Sequence, residues 1–281
     1  MSKAIIRQHV GEHNINTFVV DAAGVKIHGD CWKTSDQPTL RMVWLHGWGQ
    51  DRYALQAVAM HFTSQAEHYF LDIPGFGESP VPQAVWGAQE YADAFAEWLQ
   101  TLPHCRTIVI GLSVGGRLGL RLTASHKHLV DGLILLASHG LHKKRSIGFK
   151  LKAWGLRKLG RTAGWIDRFF KTRFKEVYRT RFGSEDYRQA GAMRSILVKM
   201  ANENEAASAG KLVQPVLLVY GAKDQDTPIA FGRKFHTLIN DSKLIEIPDV
   251  DHDSLIIQGR AQVQTRIADF LNQHFKSDGT T

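Results

Sequence analysis

The sequence predicts an α/β fold: a doubly wound, mostly parallel sheet, interrupted by an inserted helical cap. Three observations predict it. Short β-type runs alternate with longer helical runs over most of the chain, the pattern of strand-helix-strand units. The runs Ile108-Val109-Ile110 and Val216-Leu217-Leu218-Val219 are continuously apolar, as in parallel strands buried on both faces. Residues 139–210 break the alternation; they read as helical, basic and aromatic, with no good strand.

In chain order, Phe18-Val19-Val20, a turn at 21–24 and the run 25–32 predict a leading hairpin. Residues 40–45 form a mostly apolar strand that stops at His46-Gly47-Trp48-Gly49. Residues 52–65 read as a helix, and 68–72 as a strand ending at Pro74-Gly75-Phe76-Gly77. The stretch 86–102 has helical spacing, with Tyr91, Phe95, Trp98 and Leu102 on one side. A strand at 107–111, a helix at 114–125 and a strand at 130–137 follow. After the cap come a strand at 215–220, a helix near 228–239, a strand at 243–247 and a helix at 261–275. The expected organisation is a core in two parts, residues 1–138 and 211–281, with 139–210 as the cap.

The chain has 281 residues, with 35 Lys and Arg against 27 Asp and Glu, a formal net charge of +8. That charge is unevenly placed. Residues 141–210 hold 17 cations and 6 anions, a local excess of +11, while the remaining 211 residues sum to −3. A hydrophobic content of 43% excludes a disordered chain. Two cysteines, Cys31 and Cys105, exclude a disulfide framework, and no Cys/His cluster has zinc spacing. No apolar signal region stands at the start, and no run of about 18 apolar residues occurs. The expectation is a cytoplasmic protein, with peripheral attachment to the inner membrane as an open alternative.

The sharpest chemical signal is Gly111-Leu112-Ser113-Val114-Gly115-Gly116, which follows an apolar strand and opens a helix. A Ser at such a turn is held in a strained backbone with its hydroxyl presented. The Val114 N–H, at the helix start, is a natural oxyanion donor. In His46-Gly47-Trp48-Gly49, Gly47 lets the backbone pass close to a ligand. The Trp48 N–H is then a second donor, and His46 a structural tie. A serine hydroxyl needs a base and the base a carboxylate. Asp224 lies just past the strand 215–220, with Asp226 as its competitor, and His252 follows the last strand. Fourteen histidines make residue type alone weak evidence, so position selects His252.

These motifs, together with Asp72-Ile73-Pro74-Gly75-Phe76-Gly77-Glu78-Ser79 and Gly221-x-x-Asp224-x-x-x-Pro228, resemble the α/β-hydrolase superfamily over residues 20–275. The resemblance implies Ser113 as nucleophile, His252 as base, Asp224 as acid, and Trp48 and Val114 as oxyanion-hole donors. It implies a cap over the site, and acyl transfer to water without metal or cofactor. Relatives that are dehalogenases or epoxide hydrolases carry Asp where Ser113 stands. The chain departs from the family in flanking the late His with Asp251 and Asp253, where Gly usually precedes it. A carboxylate facing the ring would raise its pKa.

Aromatics interleave with the cations of the cap. Trp154, Trp165 and Phe169 are candidate pocket residues. The charge reads in three ways: a solvated face, a dock for an acidic acyl carrier protein or CoA thioester, or an anionic membrane contact. Pimeloyl carrier-protein methyl ester carboxylesterases share the capped fold and a similar His-Gly-Trp-Gly loop. No nucleic-acid-binding motif is present, and none of that class of partner is expected. The leading expectation is a serine hydrolase acting on a carboxylic ester or thioester of a moderately hydrophobic acyl group. Hydrolysis of a carbon–carbon bond is the alternative with the same triad. A non-catalytic receptor on the same fold is the alternative from another class.

Overall fold

The structure is a computed structural model that describes residues 7–10, 13–33, 38–142 and 190–275. The candidate pocket residues Trp154, Trp165 and Phe169 lie outside the described residues. By chain contacts the protein divides into two compact units. One comprises Met1–Leu141 with Lys199–Thr281, and the other is His142–Val198.

Among the described residues nine strands form one sheet: β1 (Arg7–Val10), β2 (His13–Ala22), β3 (Val25–Lys33), β4 (Leu40–Leu45), β5 (Glu67–Leu71), β6 (Arg106–Leu112), β7 (Gly132–Leu136), β8 (Val216–Gly221) and β9 (Ser242–Ile247). Their spatial order is β1-β2-β3-β5-β4-β6-β7-β8-β9. The leading hairpin pairs antiparallel, with Ala22 opposite Val25, and β3 joins β5 antiparallel. From β5 through β9 every pairing is parallel. Parallel strands β6 and β8 carry the continuous apolar runs that predicted them; β1 adds a strand that carries no such run.

Among the described residues the α-helices are α1 (Gln56–Ala59), α2 (Ala88–Gln100), α3 (Val114–Ser125), α4 (Arg194–Asn202), α5 (Ala206–Ala209), α6 (Ile229–Leu238) and α7 (Arg260–His274). Alternate strand positions face opposite sides of the sheet. Met42, Trp44, Ile108, Ile110, Ile134, Leu136, Leu217 and Val219 share one side with Val58 of α1 and with Val263, Ile267 and Phe270 of α7. On the opposite side α3 lies so close that a Cβ on Gly119 would touch Val109 and Leu133. There α2 packs on α3, burying Tyr91, Phe95 and Trp98. Each such large side chain contributes roughly 1.5–3 kcal/mol on leaving water.

One predicted element is corrected. The expected helix over 52–65 is reduced to the single turn of α1 and a 3-10 turn, Met60–Phe62. Its first residues are held elsewhere. The Arg52 N–H donates to Asp72 Oδ1 at 2.7 Å, and the Arg52 guanidinium bonds Asp72 Oδ2 at 2.5 Å. Residues 52–55 form turns instead, with the Ala54 N–H donating to the Asp51 oxygen and the Gln56 N–H to the Tyr53 oxygen, each at 3.2 Å.

Candidate active site

The parallel pairing brings the C-terminal ends of β4, β6, β8 and β9 to one edge of the sheet, where ligands bind in open α/β sheets. Each candidate residue follows one of those ends. Ser113 follows β6, the loop 46–49 follows β4, Asp224 follows β8 and His252 follows β9.

Ser113 has φ 52° and ψ −109°, a strained conformation for a side-chain-bearing residue. The turn is possible because its neighbours lack side chains. A Cβ on Gly111 would collide with the Gly115 backbone, and one on Gly115 with the Leu45 and His46 carbonyl oxygens. The Ser113 N–H donates to the Leu136 oxygen at 2.9 Å, and its carbonyl accepts from His139 N–H at 3.0 Å. These bonds hold the turn against the end of β7.

The loop after β4 lies beside Ser113, since a Cβ built on Gly47 would stand 3.7 Å from Ser113 Cβ. His46 is a tie rather than a base. Its Nε2 accepts the Ile73 N–H at 3.0 Å, which places the ring proton on Nδ1, and that N–H donates to the Gly47 oxygen at 2.7 Å. Burial pushes the His46 pKa down, so the ring is neutral. The Gln50 Oε1 accepts the Gly47 N–H at 2.9 Å, and Phe76 packs edge-on against Trp48 at 4.8 Å. Among the described residues neither the Trp48 N–H nor the Val114 N–H has a hydrogen-bond acceptor, which suits both to receive an oxyanion.

Of Asp224 and Asp226, it is Asp224 that meets His252. Asp224 is 4% exposed, and its Oδ2 accepts the His252 Nδ1–H at 2.7 Å. Its Oδ1 accepts two main-chain N–H groups, of Asp226 and Thr227, each at 2.8 Å. Asp226 therefore serves through its backbone. A Cβ on Gly221 would stand 2.5 Å from the Val250 oxygen, so only glycine lets the β8 end approach the loop that carries His252.

Electrostatics set the pair apart. Burial pushes the Asp224 carboxyl up, but the hydrogen bonds from His252 and Thr227 outweigh it and hold the acid below its ordinary value. Burial would lower the His252 pKa. The bonded Asp224 charge, aided by Asp226 and Asp253, outweighs burial and holds the ring above the ordinary 6.5. Of the two unusual flanking carboxylates, Asp251 turns away and accepts from the Ser254 N–H at 2.9 Å and its hydroxyl. Among the described residues no group of three His, Cys, Asp or Glu is placed to hold a metal ion. No described helix is long and apolar enough to cross a membrane.

Sequence reasoning passed over Thr227, Gln50 and Phe76. Only Thr227 had a signal: it stands three residues after Asp224, the spacing at which an Asp side chain captures main-chain N–H groups.

Fold and site together define an α/β protein with a strained Ser at a strand-to-helix turn and an Asp–His pair at later strand ends. The chain belongs to the alpha/beta hydrolase family, whose model matches residues 42–264. It is 31% identical over 107 residues to a Photorhabdus laumondii protein named pimeloyl-[acyl-carrier protein] methyl ester esterase. That match spans 38% of this chain and 39% of the relative. It is 23% identical to the uncharacterized hydrolase YugF of Bacillus subtilis, covering 92% of this chain and 97% of that one. Among solved structures it resembles the enol-lactonase of Burkholderia xenovorans LB400. There the TM-score is 0.69 and the identity 19%, over 90% of this chain and 99% of that one.

Proposed function

We propose that this protein is a serine hydrolase that cleaves a carboxylic ester or thioester of a moderately hydrophobic acyl group through an acyl-enzyme. The observation that carries the reading is the part-buried Asp224–His252 bond of 2.7 Å, at the same sheet edge as the strained Ser113.

Ser113 Oγ attacks the acyl carbon as His252 Nε2 takes its proton. The Asp224 carboxylate keeps the other ring proton on Nδ1 and stabilises the imidazolium. The negative oxygen of the tetrahedral species rests on the Trp48 and Val114 N–H groups. Loss of one such donor costs about 100- to 1000-fold in rate. His252 returns its proton to the leaving alcohol or thiol. It then deprotonates a water that attacks the Ser113 ester, and the acid leaves as Ser113 regains its proton.

The named activities of the relatives favour an ester: one is an esterase and one an enol-lactonase. The basic segment favours an acidic carrier. Residues 141–210, with their excess of +11, are read as the cap that receives the substrate. An acyl carrier protein or CoA thioester supplies the complementary charge. The Photorhabdus relative is named for a carrier-bound ester. The working location is the cytoplasm.

A fluorophosphonate probe is expected to label the wild type and not Ser113→Ala; an unlabelled wild type would sink the hydrolase reading. A panel of short and medium p-nitrophenyl esters then sizes the acyl site. Turnover of a carrier-bound ester that falls with salt, while free-ester turnover does not, supports the carrier; equal salt response removes it.

A further inference from the structure

Thr227 is a buried polar side chain at this sheet edge to which the triad reading gives no task. It is 1% exposed. Its Oγ1 stands 2.7 Å from Asp224 Oδ2, 3.2 Å from His252 Nδ1 and 3.0 Å from the Ala137 carbonyl oxygen. Three strand ends, those of β7, β8 and β9, therefore meet at one hydroxyl. Ala137 has φ 43°, a costly conformation, and its N–H is used by the Val219 oxygen at 2.8 Å.

The hydroxyl has one proton and two oxygens that could take it. The carboxylate is charged and closer, and charge-assisted bonds are the stronger kind, so the proton goes to Asp224 Oδ2. A lone pair is then left facing His252 Nδ1–H, as a second and longer acceptor beside the carboxylate. Valine has nearly the same shape and would fill the same buried space, so packing does not call for a hydroxyl here. We propose that Thr227 is a positioning residue: its hydroxyl fixes the Asp224 carboxylate and the His252 ring relative to each other and shares the carboxylate charge with the imidazole.

Its consequence for rate rests on the hydrolase reading; its consequence for the ring does not. The charged groups acting on His252 are Asp224, Asp226 and Asp253. In Thr227→Val, Asp224 loses one of its four donors while the other two carboxylates stay. More of the Asp224 charge then acts on the ring, and because a full charge outweighs a lost lone pair, His252 holds its proton to higher pH. The ring also loses its second acceptor and turns more freely.

The test is the nitrogen-15 titration of His252 in the wild type, Thr227→Val and Thr227→Ser, assigned by comparison with His252→Gln. It is paired with the fluorophosphonate labelling rate against pH. Thr227→Val is expected to titrate His252 at higher pH, with the acid limb of labelling moving the same way, and to label about 10-fold more slowly at neutral pH. Thr227→Ser is expected to restore both. Should the valine variant not fold, Thr227→Cys, with its weak thiol donor, is expected to fall between. An unmoved His252 titration, with only the melting temperature lowered, would make Thr227 a packing residue and overturn the proposal; so would a shift to lower pH. A wild type that the probe does not label removes the hydrolase reading, and the titration still decides the role of Thr227.

Discussion

Replacing Asp224 by Asn tests the orienting role of the carboxylate without changing its size. Asp224 accepts four hydrogen bonds. Oδ1 takes the Asp226 and Thr227 N–H groups, and Oδ2 takes His252 Nδ1–H and the Thr227 hydroxyl. Asparagine has one oxygen and one NH2 to place. Turning NH2 toward the two main-chain donors would strand both, at about 1–3 kcal/mol each. The oxygen therefore keeps the main-chain side, and NH2 faces His252 Nδ1. Two donors cannot face each other, so the ring proton moves to Nε2, which then cannot take the proton that the proposed mechanism draws from Ser113. The same exchange in serine proteases costs about 10,000-fold, equivalent to about 5.5 kcal/mol. The assay is kcat/KM on a short p-nitrophenyl ester, with circular dichroism to show an unchanged fold. Asp226→Asn keeps the main-chain N–H that Asp224 uses and is expected to stay within about 3-fold. A loss under 10-fold in Asp224→Asn, or an equal loss in Asp226→Asn, would refute the assignment.

Further outcomes follow from the same geometry. His252 must be neutral to act, and its pKa is held above 6.5, so the acid limb of kcat/KM is expected above pH 6.5; a midpoint at or below it contradicts the Asp224 pairing. The same shifts act on stability with opposite sign: the His252 contribution is lost as pH rises through its raised folded value, and that of Asp224 as pH falls through its lowered one. Gly115→Ala adds a Cβ against the Leu45 and His46 oxygens. Overpacking of about 1–3 kcal/mol should exceed the roughly 1 kcal/mol gain in helix propensity, giving lower stability in urea and slower probe labelling. Glu205→Ala strands the buried Arg117, whose Nε lies 3.4 Å from Glu205 Oε1, and removes the 2.8 Å partner of Arg121. A loss of about 3–5 kcal/mol is expected by denaturant unfolding, and a loss under 1 kcal/mol would show that water or Glu203 replaces the carboxylate.

Much of the fold was legible because its central strands β4, β6, β7 and β8 are buried on both faces and so read as largely apolar runs. The helix after Ser113 was legible to the residue, since glycines and a clear apolar face mark its start and course. The residues 52–65 misled, because their periodicity is helical while the backbone runs through successive three-residue turns, Asp51 to Ala54 and Tyr53 to Gln56, before α1. At the site, Ser113 was legible from local sequence alone, because strain at a strand-to-helix turn needs small neighbours at fixed positions. Asp224 is preferred in the sequence as the residue just past the strand, with Asp226 a competitor; which carboxylate meets His252 depends on how the loop folds round two N–H groups. Thr227 stayed hidden because a threonine beside a proline reads as ordinary loop chemistry until three strand ends converge on its hydroxyl.

Rapid mixing with a p-nitrophenyl ester reveals an acyl-enzyme on Ser113 when the quenched protein is also digested and weighed. A burst of one p-nitrophenolate per chain is predicted, with the acyl mass on the peptide that contains Ser113. Turnover that persists in Ser113→Ala, or an acyl group carried on another residue, would contradict it.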